Sequence, residues 1–469
     1  LKILFEFIKD KTMLFDIDKQ TIRDLNLFEE RANVKSIFSV YNRASTKGGH
    51  EMLNRLFRAP VSDLEFLQYR KDEINFFFLN KLSLKLKPRQ FDFIEHYLVN
   101  DRVPLRNNIV DAAYNGLMNK LSADGDYWII TNGIFYVIRL LVDLEYFLTE
   151  VESLNLPLSL EADFTRIRSF INLNIIKNSL SDPPEDIKDL TFLQINNLDQ
   201  FLRGSHKNNF KELLNIVYKI DVLQALSGIM KSEGYSLPEF YPGSIPVFEV
   251  IDAFNPILPA AVPNSFTFAG DSTLCFITGP NMAGKSTFLK TMGLMIYLSH
   301  LGFPVPAKGL KTTVFDGLFT TINLADNLNL GYSHFYSEVQ RVKDIVVKIN
   351  TERNLFVIFD ELFRGTNVKD AYDASLLIIS ALAKIRGNFF FISTHILEVA
   401  EDLLNKESVI FNCFESELVD QTPVYDYKLK SGVSKERIGM LIIKHEHIIE
   451  ILEQIAEKQK NAVTAGLNR

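Results

Sequence analysis

The sequence predicts two architectures in one chain, a helical N-terminal half and an α/β C-terminal half built on a phosphate-binding loop. Three observations carry this. Apolar residues recur at helical spacing as far as Met230. Glycines and prolines then cluster at Gly234, Pro238, Pro242, Gly243 and Pro246, which marks a boundary near residues 234–246. Beyond it, short apolar runs alternate with helical stripes, the pattern of a mostly parallel sheet with helices on both faces. One of those runs leads directly into Thr-Gly-Pro-Asn-Met-Ala-Gly-Lys-Ser-Thr at 278–287.

Taken in order, residues 1–12 form an amphipathic lead-in and 14–80 hold several helical stripes. Ser36 to Tyr41 leads into a polar stretch, and a helix from His50 to Arg58 ends before Ala59-Pro60. Residues 81–210 are helical in pattern, with loops near 101–104, 122–126, 181–184 and 204–208. The longest apolar stretch, 127–148, contains Asn132, Arg139, Asp143 and Glu145, so it reads as a buried helix and not a membrane span. Residues 210–230 form a strong helix with Leu213, Leu214, Val217, Ile220, Val222, Leu223 and Leu226 on a broad apolar face. Strand candidates follow at 247–251, 274–277, 355–359, 388–393 and 408–411. Residues 446–460 read as a helix before a short tail.

The 469 residues are enough for two or three domains. At 47% hydrophobic and 23% charged residues a large core can form, and the net charge of −7 excludes a nonspecific polycation while allowing a local basic patch. The two cysteines, Cys275 and Cys413, lie far apart in apolar runs, which fits buried thiols in a reducing compartment. No secretory signal is evident, and the expected location is cytoplasmic.

Strand, glycine loop and helix in succession are what a phosphate-binding loop requires. Gly279 and Gly284 let the backbone turn its N–H groups toward phosphate oxygens, Lys285 adds a point charge, the Ser286 hydroxyl can ligate Mg²⁺, and the helix N-terminus adds its dipole. Residues 355–359 close on Asp360-Glu361, 75 residues after Lys285. A buried strand would deliver Asp360 to the metal and Glu361 to the attacking water, provided the turn after the strand reorients Glu361. A second strand ends at Ser393-Thr394-His395. His395 either reaches the γ-phosphate or caps the next helix. Ser333 sits at the N-cap of a helix whose stripe is Phe335, Val339, Val342, Val346 and Ile349, either an anion site or an ordinary cap. Arg364-Gly365-Thr366 is a polar loop facing a partner or simply turning.

At these residues the chain resembles the MutS family, a branch of the ABC-type ATPases. Asn281-Met282 inside the loop is the family's mark, with Ala283 in place of a usual Gly or Ser. Ala325-Asp326 through Ser333, Phe335 and Glu338 resembles its composite-site signature. Asp360-Glu361 with Arg364-Gly365-Thr366, Thr394-His395, the segment 302–307, Tyr427 and Gly439 resemble further family motifs. Upstream, 18–27, 36–45, Met52-Leu53, 60–63 and 220–223 resemble the family's core, or lever, domain.

The resemblance implies a helical MutS-core lever domain over 1–240 with its clamp reduced or absent, and an ABC-type P-loop ATPase domain over 246–445. It also implies a C-terminal helix and tail over 446–469, and a chain without the mismatch-binding and connector domains. The Phe93-Ile94-Glu95 triplet reads as core plus surface, not as the family's wedge. The implied ATP contacts are Gly279, Pro280, Asn281, Met282, Ala283, Gly284, Lys285, Ser286 and Thr287. Ser286 and Asp360 would hold Mg²⁺, Glu361, His395 and Lys285 would be catalytic, and Ser333 would act in trans in a homodimer. The implied partners are mismatched, branched or distorted DNA and repair proteins, with no membrane. A different reading is an ATP-driven switch that binds a protein and no DNA.

Overall fold

The computed structural model describes residues 14–29, 35–106, 110–111, 125–243, 245–268, 270–322, 334–351, 354–363, 366–394, 396–404, 406–419, 422–434 and 447–466. It divides into a helical unit, Asn33–Leu237 with Leu301–Pro304, and an α/β unit made of Leu1–Ala32, Pro238–His300 and Val305–Arg469.

The chain opens in the α/β unit. Strand β1 (Asp16–Ile17) pairs in parallel with Gly317 and Leu318. Helix α1 (Lys19–Asp24) follows, its N-terminus capped by the Asp18 carboxylate on the Thr21 N–H at 2.8 Å. Asp24 is buried and accepts hydrogen bonds from the Thr320 hydroxyl at 2.7 Å and the Ile322 N–H at 2.9 Å. Asp18 also pairs with Arg341. Burial opposes the charge on Asp18, but the Arg341 bond and charge prevail and hold its pKa below the usual range. A helical domain beginning at residue 1 is thereby corrected, because residues 14–29 belong to the α/β unit. Their partners lie 296 to 323 residues further along the chain, beyond the reach of any local pattern.

The helical unit contains α2 (Ile37–Tyr41), α3 (Lys47–Phe57), α4 (Leu64–Asn80), α5 (Pro88–Leu98), α6 (Gly125–Val151), α7 (Leu158–Ile171), α8 (Asn174–Ser181), α9 (Phe192–Asp199) and α10 (Lys207–Glu233). Helix α10 is its axis, packing on α3, α4 and α7. The apolar face expected on it is buried from Leu213 to Leu226, and Gly234 ends it in the left-handed conformation. Asp221, buried on α10, accepts from the Thr46 hydroxyl at 2.7 Å and the Thr46 N–H at 2.8 Å; Thr46 in turn caps α3. Helices α5 and α6 run antiparallel: Asn100 bonds Asp126 at one end (3.0 Å) and Gln90 bonds the Tyr136 carbonyl further along (3.1 Å). Glu95 accepts from the Tyr218 hydroxyl, so the Phe93-Ile94-Glu95 triplet is part of this packing. Helices α6 and α10 are long and apolar enough to cross a bilayer, but 56% and 72% of those windows are buried inside the unit. Leu301–Pro304 also belong here, held by Arg70 on the Leu301 carbonyl and by the Tyr41 hydroxyl on the Pro304 carbonyl, each at 2.6 Å.

Of the loop expected at 204–208, Gly204 and Ser205 end a π-helical turn, Gln200–Ser205, His206 turns, and Lys207 and Asn208 begin α10. Asp199 and Arg203 form a buried bidentate pair at 2.6 and 2.7 Å. The same carboxylate accepts from the Tyr97 hydroxyl and the Leu105 N–H, and Arg203 also donates to the Arg102 carbonyl. Charges and hydrogen-bonding groups are thus satisfied together, which a glycine in sequence does not reveal.

Back in the α/β unit, the strands are β2 (Glu239–Phe240), β3 (Phe248–Ala253), β4 (Asn264–Thr267), β5 (Leu274–Thr278), β6 (Gly309–Thr312), β7 (Gly317–Thr321), β8 (Leu355–Phe359), β9 (Phe389–Ser393), β10 (Val409–Cys413), β11 (Ser416–Val419), β12 (Thr422–Tyr425) and β13 (Lys430–Ser431). The helices are α11 (Lys285–Ser299), α12 (His334–Thr351), α13 (Val368–Leu382), α14 (Leu397–Leu403) and α15 (Ile448–Gly466). The main sheet has the order β1-β7-β8-β9-β5-β10-β13, parallel except for β13. Its central strands β5, β7, β8 and β9 are buried along their whole length, which is why they read as continuous apolar runs. One face packs on α12, α13 and α14 through Val357, Phe359, Phe390 and Ile392.

Helices cover both faces as expected, since α11 packs on the other face through Phe288 on Phe391 and Gly293 against Ile358, and that face is shared with further strands. It meets a second sheet, β2-β6-β3-β4, through phenylalanines: Phe248 lies 5.1 Å from Phe356, Phe266 lies 4.9 Å from Phe391, and Phe268 stacks on Phe389 at 4.1 Å. The strand expected at 247–251 is in this smaller sheet. On α12 the buried positions are Glu338, Val342 and Ile345, while Val339 and Val346 of the expected stripe are exposed.

Arg203→Met should destabilise the helical unit by about 3–5 kcal/mol, because it leaves the Asp199 carboxylate buried without its cation. Asp199→Asn in the same chain should recover part of the loss. Urea unfolding followed by circular dichroism reads both, and a single variant as stable as wild type would remove the keystone role of this pair.

Candidate nucleotide site

The site is built at the carboxyl ends of neighbouring parallel strands, where ligands of open α/β sheets bind. Strand β5 ends at Thr278, whose hydroxyl accepts from the Ser434 N–H at 2.8 Å and whose carbonyl accepts from the Phe414 N–H at 3.0 Å. The chain then turns at Gly279, with φ +140° and an approach so close that a Cβ there would stand 2.5 Å from the Phe414 carbonyl oxygen. No other residue fits that position. Gly284 closes the loop at φ +105° as the N-cap of α11.

Within the loop, Asn281, Met282 and Thr287 are exposed, Pro280 and Ser286 half-buried, and Ala283 buried. Met282 is 82% exposed with φ +67°, an apolar side chain offered to solvent by a left-handed backbone. Lys285 turns inward. It is 5% exposed, and its ammonium donates to the carbonyls of Gly279 at 2.8 Å and Pro280 at 2.9 Å.

Strand β8 delivers Asp360, also buried, whose N–H donates to the Thr321 carbonyl at 2.9 Å. Its carboxylate accepts from the hydroxyls of Ser286 and Ser393. The Ser393 hydroxyl accepts in turn from the Glu361 N–H at 3.0 Å. The reorientation that Glu361 needs is present, since its backbone is left-handed at φ +56°, a conformation uncommon for glutamate. Strain of this kind collects at functional sites.

The charges respond to one another. Burial pushes the Lys285 ammonium below the usual lysine range, opposed by the negative charges of Asp360 and Glu361. Burial pushes the Asp360 carboxyl above its usual range. The Ser286 and Ser393 hydrogen bonds oppose that, Glu361 adds to it, and Lys285 opposes it. Lys285, Ser286, Asp360 and Glu361, separated by up to 76 positions, are therefore within electrostatic or hydrogen-bonding reach of one another. A hydroxyl beside a single carboxylate suits Mg²⁺, which keeps waters and phosphate oxygens as its remaining ligands. His395, Ser333, Arg364 and Gly365 lie outside the described residues. Phe335, near the start of α12, meets the Phe363 ring at 5.7 Å, two residues after Glu361.

The role of Ser393 emerges only in three dimensions; a hydroxyl at the end of an apolar strand is its faint sequence signal. Tyr427, already part of the family resemblance, stands beside the loop. Its ring lies 3.3 Å from where a Cβ on Gly284 would be, and it is 44% exposed. Asn264 fixes this segment by donating to the Tyr427 carbonyl at 3.0 Å and accepting from the Leu429 N–H at 2.8 Å. Residues 261–264 carry no aromatic, yet Asn264 brings one to the loop.

Residues 275–464 match the family model of MutS domain V. The chain is 31% identical over 250 residues to the DNA mismatch repair protein MutS of Bacillus licheniformis, covering 52% of this chain and 27% of the relative. It is 32% identical over 246 residues to the MutS of Persephonella marina, covering 51% and 27%. It is 29% identical over 279 residues to the DNA mismatch repair protein MSH3 of Candida glabrata, covering 56% and 27%. The chain thus aligns with 27% of the length of each of these relatives.

The raised pKa of Asp360 makes a stability prediction. A carboxyl whose folded pKa is raised contributes stability that is complete below its ordinary pKa and is lost as pH rises through the raised one. At neutral pH the buried charge therefore costs stability. Asp360→Asn should raise the unfolding temperature at pH 7 without added nucleotide by about 2–4 °C. It should also flatten the wild-type gain on going from pH 7 toward pH 5. Differential scanning calorimetry across that range checks it, and an unfolding temperature at or below wild type would show the charge to be fully compensated.

Proposed function

We propose that this chain, which belongs to the MutS family through its domain V, binds and hydrolyses ATP and couples hydrolysis to movement of its helical unit on DNA. The observation that carries this reading is the convergence of Lys285, Ser286, Asp360 and Glu361 at the ends of β5 and β8.

In this reading the loop 279–284 and the N-terminus of α11 receive the phosphates, and Tyr427 offers an aromatic face beside Gly284. Lys285 exchanges the carbonyls of Gly279 and Pro280 for β- and γ-phosphate oxygens, a short rotation for a flexible ammonium already freed of water. Ser286 and Asp360 would hold Mg²⁺, which supplies charge neutralisation on the phosphates. Glu361, aimed by its left-handed backbone and fixed through Ser393, accepts the proton of the attacking water. The family resemblance would assign His395 to the γ-phosphate. Ser333 at the head of α12 completes the site of a second copy, so the working form is a homodimer paired through its ATPase domains.

The helical unit is the lever of this machine. Helix α11 starts at Lys285 and runs into Leu301–Pro304, which the helical unit holds through Arg70 and Tyr41. The proposed substrates of the lever are mismatched, branched or otherwise distorted duplexes, in the cytoplasm and alongside other repair proteins.

Glu361→Gln should retain ATP binding, lower turnover by roughly 100-fold or more and accumulate a nucleotide-bound dimer. Turnover within a few fold of wild type, in a single-turnover assay, would show that another group takes the proton. Ser333→Ala should lower turnover at dimer-forming concentrations and leave ATP affinity of dilute monomers unchanged; wild-type turnover at high concentration would remove the composite site. The deciding experiment is steady-state ATP hydrolysis with homoduplex, a single mismatch, a four-way junction or no DNA. Stimulation by junction or mismatch supports the reading. Intact hydrolysis indifferent to all DNA would transfer it to a protein-binding switch, with which the net charge of −7 is compatible.

A further inference from the structure

An exposed aromatic feature of the helical unit lies along helices α5 and α6. Trp128, the single tryptophan of the chain, is 56% exposed. A tryptophan left this far in water costs free energy that a bound partner would recover. It belongs to an aromatic row. The Phe93 ring meets Trp128 edge-on at 5.7 Å and stacks on Tyr136 at 4.9 Å with 17° between planes. The Arg89 guanidinium lies over Phe93 at 5.9 Å. Arg89, Asp92, Phe93, His96, Gly125, Trp128 and Ile129 line a groove of about 550 Å³.

The row continues into cations. Trp128, Tyr136, Arg139 and Asp143 fall on one face of α6, because steps of 8, 11 and 15 residues return within 80° on a helix of about 100° per residue. Lys85, Lys87 and Arg139 all lie near enough to Asp143 for its carboxyl to feel each charge. Four cations, Lys85, Lys87, Arg89 and Arg139, thus accompany Asp92 and Asp143 along a face roughly 22 Å long from Trp128 to Asp143. Aromatic rings at one end and excess positive charge along the side are the two components of single-strand recognition, stacking for the bases and attraction for the phosphates. An apolar peptide would have no use for the cations, and an intact duplex hides its base faces.

We propose that this groove binds unpaired nucleotides of single-stranded DNA, with a base stacked against Trp128 and Phe93 and the phosphates along Arg89, Lys87, Lys85 and Arg139. The proposal rests on the reading that the helical unit works on DNA and names the part of a distorted or branched substrate it would hold.

Trp128 is its own reporter. In the intact chain, oligothymidylate should quench the tryptophan emission, with an affinity that falls as salt rises. Equal-length duplex and thymidine monophosphate should leave the emission nearly unchanged. Arg89→Glu, at an exposed position, and Phe93→Leu, which keeps the packing and loses the ring, should each weaken this binding roughly tenfold or more while basal ATP hydrolysis stays at the wild-type rate. Three results would overturn the proposal: no quenching, quenching by duplex or monophosphate equal to that by single strands, or wild-type affinity in both variants. A parallel gel-retardation assay separates the two readings. DNA retained by the protein with Trp128 undisturbed refutes the groove and leaves the DNA function standing. Quenching by single strands in a chain without ATP hydrolysis upholds the groove and refutes the ATPase reading.

Discussion

A cation and a carboxylate held out of water, Lys285 and Asp360, are the constraint around which the α/β unit is arranged. Each costs free energy to bury, and each is tolerated because the surrounding chain supplies partners. Lys285 has the carbonyls of its own loop. Asp360 has two serine hydroxyls, one from the start of α11 and one from the end of β9. Those partners come from the loop after β5, the start of α11 and the end of β9, while Asp360 follows β8, so β5, β9 and β8 must lie side by side with their carboxyl ends level. The parallel register that pairs Ile277 with Ser393 and Phe359 with Ile392 achieves this. A buried pair of this kind is a poor way to gain stability and a good way to hold charge ready for phosphate. The left-handed Glu361 next to it is a second local cost, accepted where a side chain must be turned out of the strand's alternation.

The phenylalanines explain how such a sheet stays rigid. Alternate residues of β8 and β9 serve opposite faces: Val357, Phe359, Phe390 and Ile392 go to the helices, while Phe356, Phe389 and Phe391 go to the smaller sheet. Edge-on and stacked rings fill that second interface, where strands offer flat surfaces and aliphatic chains would leave gaps. The site therefore sits on strands clamped from both sides.

What could be read from sequence followed the range of the interactions involved. The loop, the apolar strands 274–277 and 355–359, and the long helix through Leu213 and Leu226 were legible because each is set by neighbours a few positions apart. Segment 14–29 was not, since a two-residue strand and a six-residue helix have no period and are fixed by Thr320, Ile322 and Arg341. The stripe on α12 was misplaced for a subtler reason. Val339 and Val346 are apolar and correctly spaced, but the helix buries Glu338 and Ile345 instead, a rotation of about one residue that hydrophobicity alone does not choose. Asp199 and Arg203 replaced a predicted loop by a π turn through contacts to Tyr97 and Leu105. The role of Ser393 and the place of Tyr427 beside Gly284 were not legible because they exist only where distant strands meet.

The path of the chain bears on how a small chemical event could be felt by the helical unit. Helix α11 has its first residue, Lys285, in the phosphate site and ends at Ser299, about 22 Å away along its axis. Helices transmit displacement as nearly rigid rods, because every backbone hydrogen bond lies within them. Two residues later the chain enters a segment whose carbonyls are gripped by Arg70 and Tyr41 at 2.6 Å each. Arg70 is buried, with its pKa lowered by that burial to about 10 and Glu73 opposing the shift, so its bond to Leu301 is made by a cation with little access to water. Such a bond resists being exchanged for solvent. The chain thus runs from Lys285 along α11 and through His300 directly into residues that the helical unit holds. Another junction, at 237–238, adjoins the glycine- and proline-rich stretch.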